Sequence, residues 1–334
     1  MLRAPLLAAA RSSRIRSLVQ AAPVTRSVVR RFVAGSETAD AVTAVQRLRA
    51  DGRRVSLDHL GEETTDRGQA ETTVKAYSAL LATLADEGLA DGADVSVKLS
   101  AMGQHLAVNG PTVALANART ICTEARAVGA TVTLDMEDHT STDATLESLR
   151  ELRCDFPSVG AVLQAYLHRT EADCAALSGP RSRVRLCKGA YAEPASVAYQ
   201  RRSDVDGSYL RCLEILIRGT GYPMIATHDP RIIAHAERMV AESGRTPADH
   251  EFQMLYGIRP AEQQRIAATG TTMRVYVPYG DEWYGYSCAA SPSAPPTWPS
   301  SSAAWPPRTD RFRSLCGTAH HLTESRSSGV LDSE

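Results

Sequence analysis

The chain has 334 residues, of which 43% are hydrophobic, and its formal net charge is -1. This composition can fill a substantial core, and the charge offers no electrostatic footprint for nucleic acid. No apolar run approaches the roughly 20 residues that span a bilayer. We therefore expect a globular protein without a nucleic-acid partner.

The cysteines indicate the cellular compartment, and the lysines indicate candidate site residues. Seven cysteines are scattered without a Cys-x-x-Cys pair, which favours the reduced cytoplasm and gives no zinc motif. Only Lys75, Lys98 and Lys188 are lysines among 37 basic residues. In a chain so rich in arginine, a lysine at a strand end indicates a need for a compact point charge.

Residues 1–52 are predicted to form N-terminal helices. Residues 1–35 carry seven arginines, and no acid occurs before Glu37, a composition that a mitochondrial presequence also shows. Apolar residues from Ile15 to Val33 keep helical spacing without a clear cleavage site. We therefore favour basic helices of the fold, interrupted at Pro23, over a presequence.

From residue 53 to residue 286, strand and helix patterns alternate. The predicted strands are Val55–Leu57, Val95–Leu99, Thr131–Met136, Ala161–Tyr166, Val184–Lys188, Met224–Thr227, Glu251–Leu255 and Met273–Val277. The predicted helices are Arg67–Glu87, Thr112–Val128, Asp143–Leu152, Thr170–Leu177, Tyr209–Arg218, Arg231–Glu242 and Ala261–Ala268. Eight such strands predict a distorted (βα)8 TIM-type barrel. A doubly wound sheet is the alternative, but no Gly-x-Gly-x-x-Gly follows a strand.

Each predicted strand ends on polar residues. A barrel of this class keeps its chemistry at the carboxyl-terminal rim, so these side chains are expected to share one site, although each alone is compatible with a structural role. They are Asp58, His59, Lys98, Asp135, Glu137, Asp138, His139, Gln164, Arg185, Lys188, Thr227, His228, Asp229, Gln253 and Tyr276.

Three kinds of chemistry could use the polar residues of this rim. A metal hydrolase is disfavoured because the histidines lack ligand spacing. A Schiff-base aldolase could use Lys98 or Lys188, but the glutamine, arginine and Thr-His pair would then lack a role. A large anionic cofactor would use them all, and Lys188-Gly189 places a cation beside a residue that allows close backbone approach.

Seven ordered segments carry a resemblance to a known family. They are Val95–Ser100 (VSVKLS), Val132–Asp138 (VTLDMED), Leu163–Leu167 (LQAYL), Arg185–Tyr191 (RLCKGAY), Ala226–Asp229 (ATHD), Glu251–Leu255 (EFQML) and Arg274–Gly280 (RVYVPYG). Together they resemble the motifs of monofunctional bacterial proline dehydrogenases, over about residues 1 to 286 and on every strand but the first.

The resemblance implies an FAD enzyme that oxidises L-proline to 1-pyrroline-5-carboxylate and passes electrons to a membrane quinone, from the cytoplasm with peripheral contact at the inner face of the membrane. The implied catalytic residues are Asp135 and Arg185, and the implied substrate contacts are Lys98, Leu255 and Tyr276. The residues implied to hold FAD are Met136, Gln164, Lys188, Gly189, Ala190, Tyr191, Gln200, Arg201, Thr227 and His228. A lysine-dependent aldolase-type lyase and an inactive, FAD-free barrel remnant remain the alternatives.

The chain departs from the family after Tyr286. There the family has a helix with two adjacent arginines that pair with the proline carboxylate, whereas residues 287–334 lack helical periodicity and begin Pro/Ser/Ala-rich. Such a composition is typical of disorder. We therefore expect the last barrel helix to be missing and proline oxidation to be impaired.

The genetic code suggests an origin for this tail. Codons for Ser287–Ala303 can be chosen so that one added base shifts them to Phe-Met-Arg-Arg-Leu-Ala-Glu-Arg-Pro-Ala-Asn-Leu-Ala-Phe-Phe-Leu-Arg. That peptide has helical character and carries the arginine pair. We hypothesise that a single base was lost just after the codon for Tyr286, in the gene or in its sequencing.

Overall fold

The fold is a closed barrel of eight parallel strands, with neighbours in sequence order and β8 pairing with β1. The computed structural model describes residues 31–61 and 63–282. The strands are β1 (Arg54–His59), β2 (Asp94–Val97), β3 (Thr131–Leu134), β4 (Gly160–Gln164), β5 (Arg183–Cys187), β6 (Tyr222–Ala226), β7 (Glu251–Leu255) and β8 (Thr272–Tyr279). The predicted TIM-type barrel is therefore confirmed.

Helices surround the strands. They are α1 (Thr38–Ala50), α2 (Arg67–Asp86), α3 (Gly110–Ala127), α4 (Thr142–Asp155), α5 (Thr170–Leu177), α6 (Arg202–Arg218), α7 (Pro230–Ser243) and α8 (Pro260–Ala268). Helix α1 precedes β1, and each of the others connects two consecutive strands. The largest boundary error is at α6, which begins at Arg202 rather than Tyr209, because its first turns carry Asp204, Asp206 and Gly207 instead of a regular apolar stripe.

Local chemistry starts two of these helices. The Asp66 side chain accepts a hydrogen bond from the Gln69 amide at the start of α2. The Asp229 side chain does the same for the Arg231 amide at the start of α7, where Pro230 occupies the first turn. Such caps satisfy amides that have no partner inside the helix. The helix after β6 is thereby fixed directly behind the strand end.

The helix-facing sides of the strands form an apolar core with the helices. Leu57, Val95 and Leu134 are buried there against residues such as Leu80 and Leu84 of α2. The barrel interior is different, because buried serines, carboxylates and arginines from several strands meet inside it. The alternation of side chains along each strand separates these two environments.

Several predictions fall outside the described residues: any helix within 1–30, the tail 287–334 and the missing helix after β8. Helix α1 lies inside the predicted N-terminal segment 1–52. In the parts of the chain that the structure describes, no helix is long and apolar enough to cross a membrane.

Candidate active site

Charged side chains from separate strands meet at the carboxyl-terminal rim. We call Asp58, Lys98, Asp135, Arg185 and Tyr276 the rim cluster. Lys98 Nζ donates to Asp58 Oδ2 at 2.8 Å and lies 3.9 Å from Asp135 Oδ2. The ammonium is thus held between two carboxylates, with 11% of its side chain still exposed.

Arg185 lies deeper and joins three strands. Its Nη1 donates to Asp135 Oδ1 at 2.7 Å and to Ser96 Oγ at 2.8 Å, and its Nη2 donates to Ser56 Oγ at 3.0 Å. Burial alone would lower the pKa of Arg185, but the carboxylates of Asp135 and Asp94 raise it above its ordinary value. The guanidinium is therefore a permanent cation in a fixed orientation.

Tyr276 bridges the two rim carboxylates. Its hydroxyl lies 2.7 Å from Asp58 Oδ2 and 2.8 Å from Asp135 Oδ2, and one proton can serve only one of them at a time. Burial, followed by the charges of Asp135 and Asp58, raises the pKa of Tyr276 well above 10. At neutral pH the phenol is consequently a hydrogen-bond donor, with its ring 5.3 Å from the Arg185 guanidinium carbon.

A buried carboxylate, that of Asp94, contacts the rim cluster through Arg185. Asp94 accepts hydrogen bonds from Ser56 Oγ at 2.7 Å and Thr131 Oγ1 at 2.6 Å, and it lies 3.4 Å from both Arg183 and Arg185. Burial would raise the pKa of Asp94, but Arg183, Arg274 and Arg185 hold it below its usual range. The continuous series Arg183, Asp94, Arg185, Asp135, Lys98 and Asp58 is called the ionic column below.

A second ionic group surrounds Lys188. Its Nζ forms a close ion pair with Asp206 of α6 and lies 3.5 Å from Asp229 Oδ2. Arg202 Nη2 lies 3.4 Å from the same Asp229 oxygen. The two cations therefore share two carboxylates, and an anionic ligand here would have to compete with those carboxylates for the cations.

Gly189 has a geometric reason to be glycine. Its φ is +106°, and a Cβ at this position would lie 2.3 Å from Cε1 of Tyr166. Glu193, further along the same loop, accepts from the His139 amide at 2.9 Å and closely contacts the His139 ring. Glycine at position 189 is therefore explained by its positive φ and by the packing of its backbone against the Tyr166 ring.

Buried polar atoms without a hydrogen-bond partner among the described residues include Asp58 Oδ1, His59 Nδ1, Gln164 Oε1, Arg185 Nε and Tyr279 Oη. Gln164 Nε2 donates to the Met136 carbonyl at 3.3 Å, while the buried Gln164 Oε1 has no hydrogen-bond partner among the described residues. The same is true of Arg185 Nε. Buried polar atoms are normally paired, and unpaired ones also occur away from the strand ends, as at Glu124 Oε2 of α3 and Thr145 Oγ1 of α4.

His228 follows β6 and is tied to β7. Its Nε2 accepts from the Leu255 amide at 2.9 Å, so the neutral ring carries its proton on Nδ1. Burial, then the cations Arg259 and Lys188, lower the pKa of His228 to about 4. Thr227, next to it, is buried and its hydroxyl accepts from the Asp229 amide at 3.2 Å.

This shift gives a pH prediction. Because the folded-state pKa of His228 is lower than its ordinary 6.5, the unfolded chain binds more protons between these values, and the free energy of unfolding falls as the pH drops from about 6.5 to 4. We expect His228→Asn, which retains an acceptor but cannot titrate, to reduce that fall by about 1–3 kcal/mol in urea denaturation. The same change at the exposed His105 is the control. Equal pH slopes for wild type and His228→Asn would contradict the assignment.

The remaining predicted residues have simpler surroundings. Gln200 Nε2 donates to the carbonyls of Ala198 at 2.9 Å and Glu193 at 3.2 Å, bracing the loop before α6. Arg201 is 80% exposed and lies 3.3 Å from Asp204, outside the rim cluster. Leu255 lies half-buried at the end of β7.

The sequence pattern missed two members of the site. Asp58 was noted at a strand end but not assigned a role, although it binds both Lys98 and Tyr276. Ser96, which donates to Asp135 Oδ1 at 2.6 Å, lies within the segment Val95–Ser100 but has no predicted role. The available signal was the period of two along β2, since Asp94, Ser96 and Lys98 alternate with apolar residues.

The described residues contain no group of three or more His, Cys, Asp or Glu that could hold a metal ion.

Comparison with known proteins agrees with the resemblance. The proline dehydrogenase family profile matches residues 41–284. A proline dehydrogenase of Deinococcus radiodurans is 42% identical over 262 residues, covering 78% of this chain and 84% of the relative. Proline dehydrogenase 1 of Bacillus subtilis strain 168 is 36% identical over 262 residues, covering 78% and 85%.

A solved structure shares the fold. Proline utilization A from Bdellovibrio bacteriovorus superposes with a TM-score of 0.74 at 23% identity, covering 81% of this chain and 33% of the larger protein. This chain thus spans about one third of that neighbour, and the likeness concerns the barrel. Since the family profile covers most of this chain and a relative is 42% identical over most of both lengths, the chain belongs to the proline dehydrogenase family, whose members are oxidoreductases.

Proposed function

We propose that the chain is an FAD-dependent enzyme that oxidises L-proline to 1-pyrroline-5-carboxylate and delivers the electrons to a membrane quinone. Family membership supports the substrate. The observation that carries the site assignment is the rim cluster, in which Lys98, Asp135, Arg185 and Tyr276 meet within hydrogen-bonding distance of one another or of Asp58.

The residues present fit FAD. Gln164 Oε1 and Arg185 Nε are buried and lack described partners, as expected if a heterocycle edge completes them. Gly189, whose backbone packs against Tyr166, adds no side chain to the loop that follows Lys188. Lys188, which follows β5, supplies a cation for the rest of the cofactor. Thr227 and His228, which follow β6, supply polar groups for it. Met136, Ala190 and Tyr191 complete the set, and Gln200 and Arg201 lie on the adjoining loop.

The rim cluster would orient proline. Lys98, whose side chain is 11% exposed, would pair with the substrate carboxylate, while Leu255 and Tyr276 would enclose the ring. Oxidation removes a hydride and a proton from the C–N unit and leaves a C=N bond, so the amine must be neutral before the hydride leaves. FAD, when bound, accepts the hydride and its two electrons. Holding the reactants in this geometry is the main contribution of the fixed cations.

The aldolase alternative fits the site less well. A Schiff-base lysine is activated by desolvation or by another cation. Both lysines at the rim are instead paired with carboxylates, Lys98 with Asp58 and Lys188 with Asp206.

The visible spectrum of the purified chain tests the proposal. We expect a flavin band near about 450 nm that L-proline bleaches only at high concentration, because the arginine-pair helix is absent from the sequence. A colourless protein that is trapped by borohydride with a carbonyl substrate would instead support the aldolase. A colourless protein that is not trapped by borohydride would support the third alternative, an inactive, FAD-free barrel remnant.

The two rim lysines should differ in their effects. Lys188→Met should weaken FAD retention, since the cation beside the Gly189 backbone is lost, whereas Lys98→Met should retain flavin and raise the proline requirement. Each loss should be about 1.5–3 kcal/mol, as for a charged hydrogen bond. Flavin content and proline titrations measure the two effects.

Lys75→Met is the matched control, because Lys75 is the third lysine and lies exposed on α2. It should change neither quantity. If Lys98→Met is colourless and Lys188→Met keeps its full flavin content, the two roles are reversed.

A further inference from the structure

A cavity of about 1400 Å³ opens at the end of the barrel opposite the rim cluster. The starts of the strands line it, including Arg54 of β1, Arg183 of β5 and Arg274 of β8. The turns that precede the strands complete its wall. Its volume exceeds the roughly 300–1,000 Å³ of ordinary small-molecule pockets, so a small anion would occupy only part of it.

The cavity is strongly cationic. The described residues that line it include six arginines, namely Arg54, Arg181, Arg183, Arg218, Arg245 and Arg274, but only two carboxylates, Asp249 and Glu251. Both carboxylates already have partners: Thr246 donates to Asp249 from its amide at 3.0 Å and its hydroxyl at 2.7 Å, and Arg274 binds Glu251 at 2.8 and 3.0 Å. Two carboxylates just outside the lining, Asp94 and Glu214, pair with Arg183 and Arg218, so two positive charges remain in excess.

Four of the arginines have structural partners. Arg245 donates to five backbone carbonyls, Arg274 holds Glu251, and Arg183 pairs with Asp94 at 3.4 Å. Arg218 pairs with Glu214 at 2.6 Å. These contacts hold the starts of the strands in place. A stabilising role is expected of residues at the amino-terminal face of a barrel.

Arg54 and Arg181 are different. Both are exposed, and among the described residues neither has a hydrogen-bond or ion-pair partner. Arg54 begins β1 and Arg181 lies two residues before β5. These strands lie on opposite sides of an eight-stranded barrel, so the two cations approach the cavity from opposite walls.

The backbone of Arg181 is also unusual. The turn Gly179–Ser182 is closed by a 3.2 Å hydrogen bond from the Ser182 amide to the Gly179 carbonyl. Arg181, its third residue, has a φ of +63°, where glycine is favoured. A left-handed conformation is strained for a non-glycine residue, and such strain persists mainly where it has a use.

We infer that this cavity binds a small multivalent anion with two phosphate-type groups, held between Arg54 and Arg181. A guanidinium binds phosphate oxygens in a bidentate fork, and two forks on opposite walls match two anionic groups better than one. The cations line a recess, which suits a free solute better than a flat membrane surface.

Inorganic pyrophosphate is the probe, titrated calorimetrically into the purified full chain at about 0.1 M salt. We expect one binding site per chain, with pyrophosphate binding tighter than inorganic phosphate. Arg54→Gln should weaken the affinity by about tenfold or more, the effect of one lost charged hydrogen bond. Arg181→Gly should weaken it to a similar degree while leaving the melting temperature unchanged or higher, because glycine relieves the strained φ.

Arg67→Gln is the matched control, since Arg67 is an exposed arginine without a described partner at the start of α2, and it should bind like wild type. Absence of saturable pyrophosphate binding would overturn the inference, as would unchanged affinity in both cavity variants. Sedimentation with phosphatidylglycerol vesicles separates the lipid source. Vesicle binding that depends on Arg54 and Arg181, without pyrophosphate binding, would also overturn it.

Discussion

Replacing Arg185 with methionine should lower the free energy of unfolding by about 3–5 kcal/mol, because it leaves the buried carboxylates of Asp94 and Asp135 without their shared cation. Arg185 is 5% exposed and contacts both acids and the two serines between them. Urea denaturation followed by circular dichroism measures the loss. Proline oxidation should disappear with it, since Asp135 loses its fixed orientation.

Two variants bracket this result. Arg185→Lys retains the charge but not the fork, so it should lose less stability while still misplacing Asp135. Arg150→Met breaks an exposed ion pair with Glu147 on α4 and should cost below about 1 kcal/mol. If Arg185→Met unfolds at the same urea concentration as wild type, the cation does not hold the interior together.

Inserting one base after the codon for Tyr286 should restore proline oxidation at low substrate concentration. The restored frame encodes two adjacent arginines, which the resemblance to the family implies would pair with the substrate carboxylate. Two charged hydrogen bonds of about 1.5–3 kcal/mol each correspond to an affinity gain of about 10²–10⁴-fold. Steady-state proline titrations of the two proteins measure the gain.

The control is the restored chain with both arginines changed to methionine, which should return to the high proline requirement. Resequencing the locus decides whether the base is missing from the gene. If the chain as given already oxidises proline at low concentration, the arginine pair is not required here. The residues concerned lie beyond 282, outside the part of the chain that the structure describes.

Local patterns were sufficient to predict the barrel. Glu251–Leu255 and Thr170–Leu177 were predicted with their observed bounds, because each combines a clear apolar pattern with turn residues at its ends. The start of α6 was not, since Asp204, Asp206 and Gly207 resemble a loop and become helical only against their neighbours. Periodicity detects buried faces, and a polar first turn lacks one.

The sequence indicated which residues meet at the rim, but it did not indicate which partner each of them binds. Strand ends correctly placed Lys98, Asp135 and Tyr276 at one rim, because parallel strands end together. The pairing of Lys188 with Asp206 depends on how α6 returns across the barrel, and no short-range pattern encodes that. Similarly, Arg54 and Arg181 are distant in sequence and come to one cavity only when the barrel closes.

The ionic column also constrains how this sequence can change over generations. Each member faces an opposite charge in a buried interior, so replacing one of them with a neutral residue leaves its partner as an unpaired buried charge. Exchanging both members of a pair for apolar residues of similar size can be tolerated. Viable lineages should therefore pass through paired replacements, and the positions corresponding to Asp94, Arg183 and Arg185 should covary among relatives rather than drift independently.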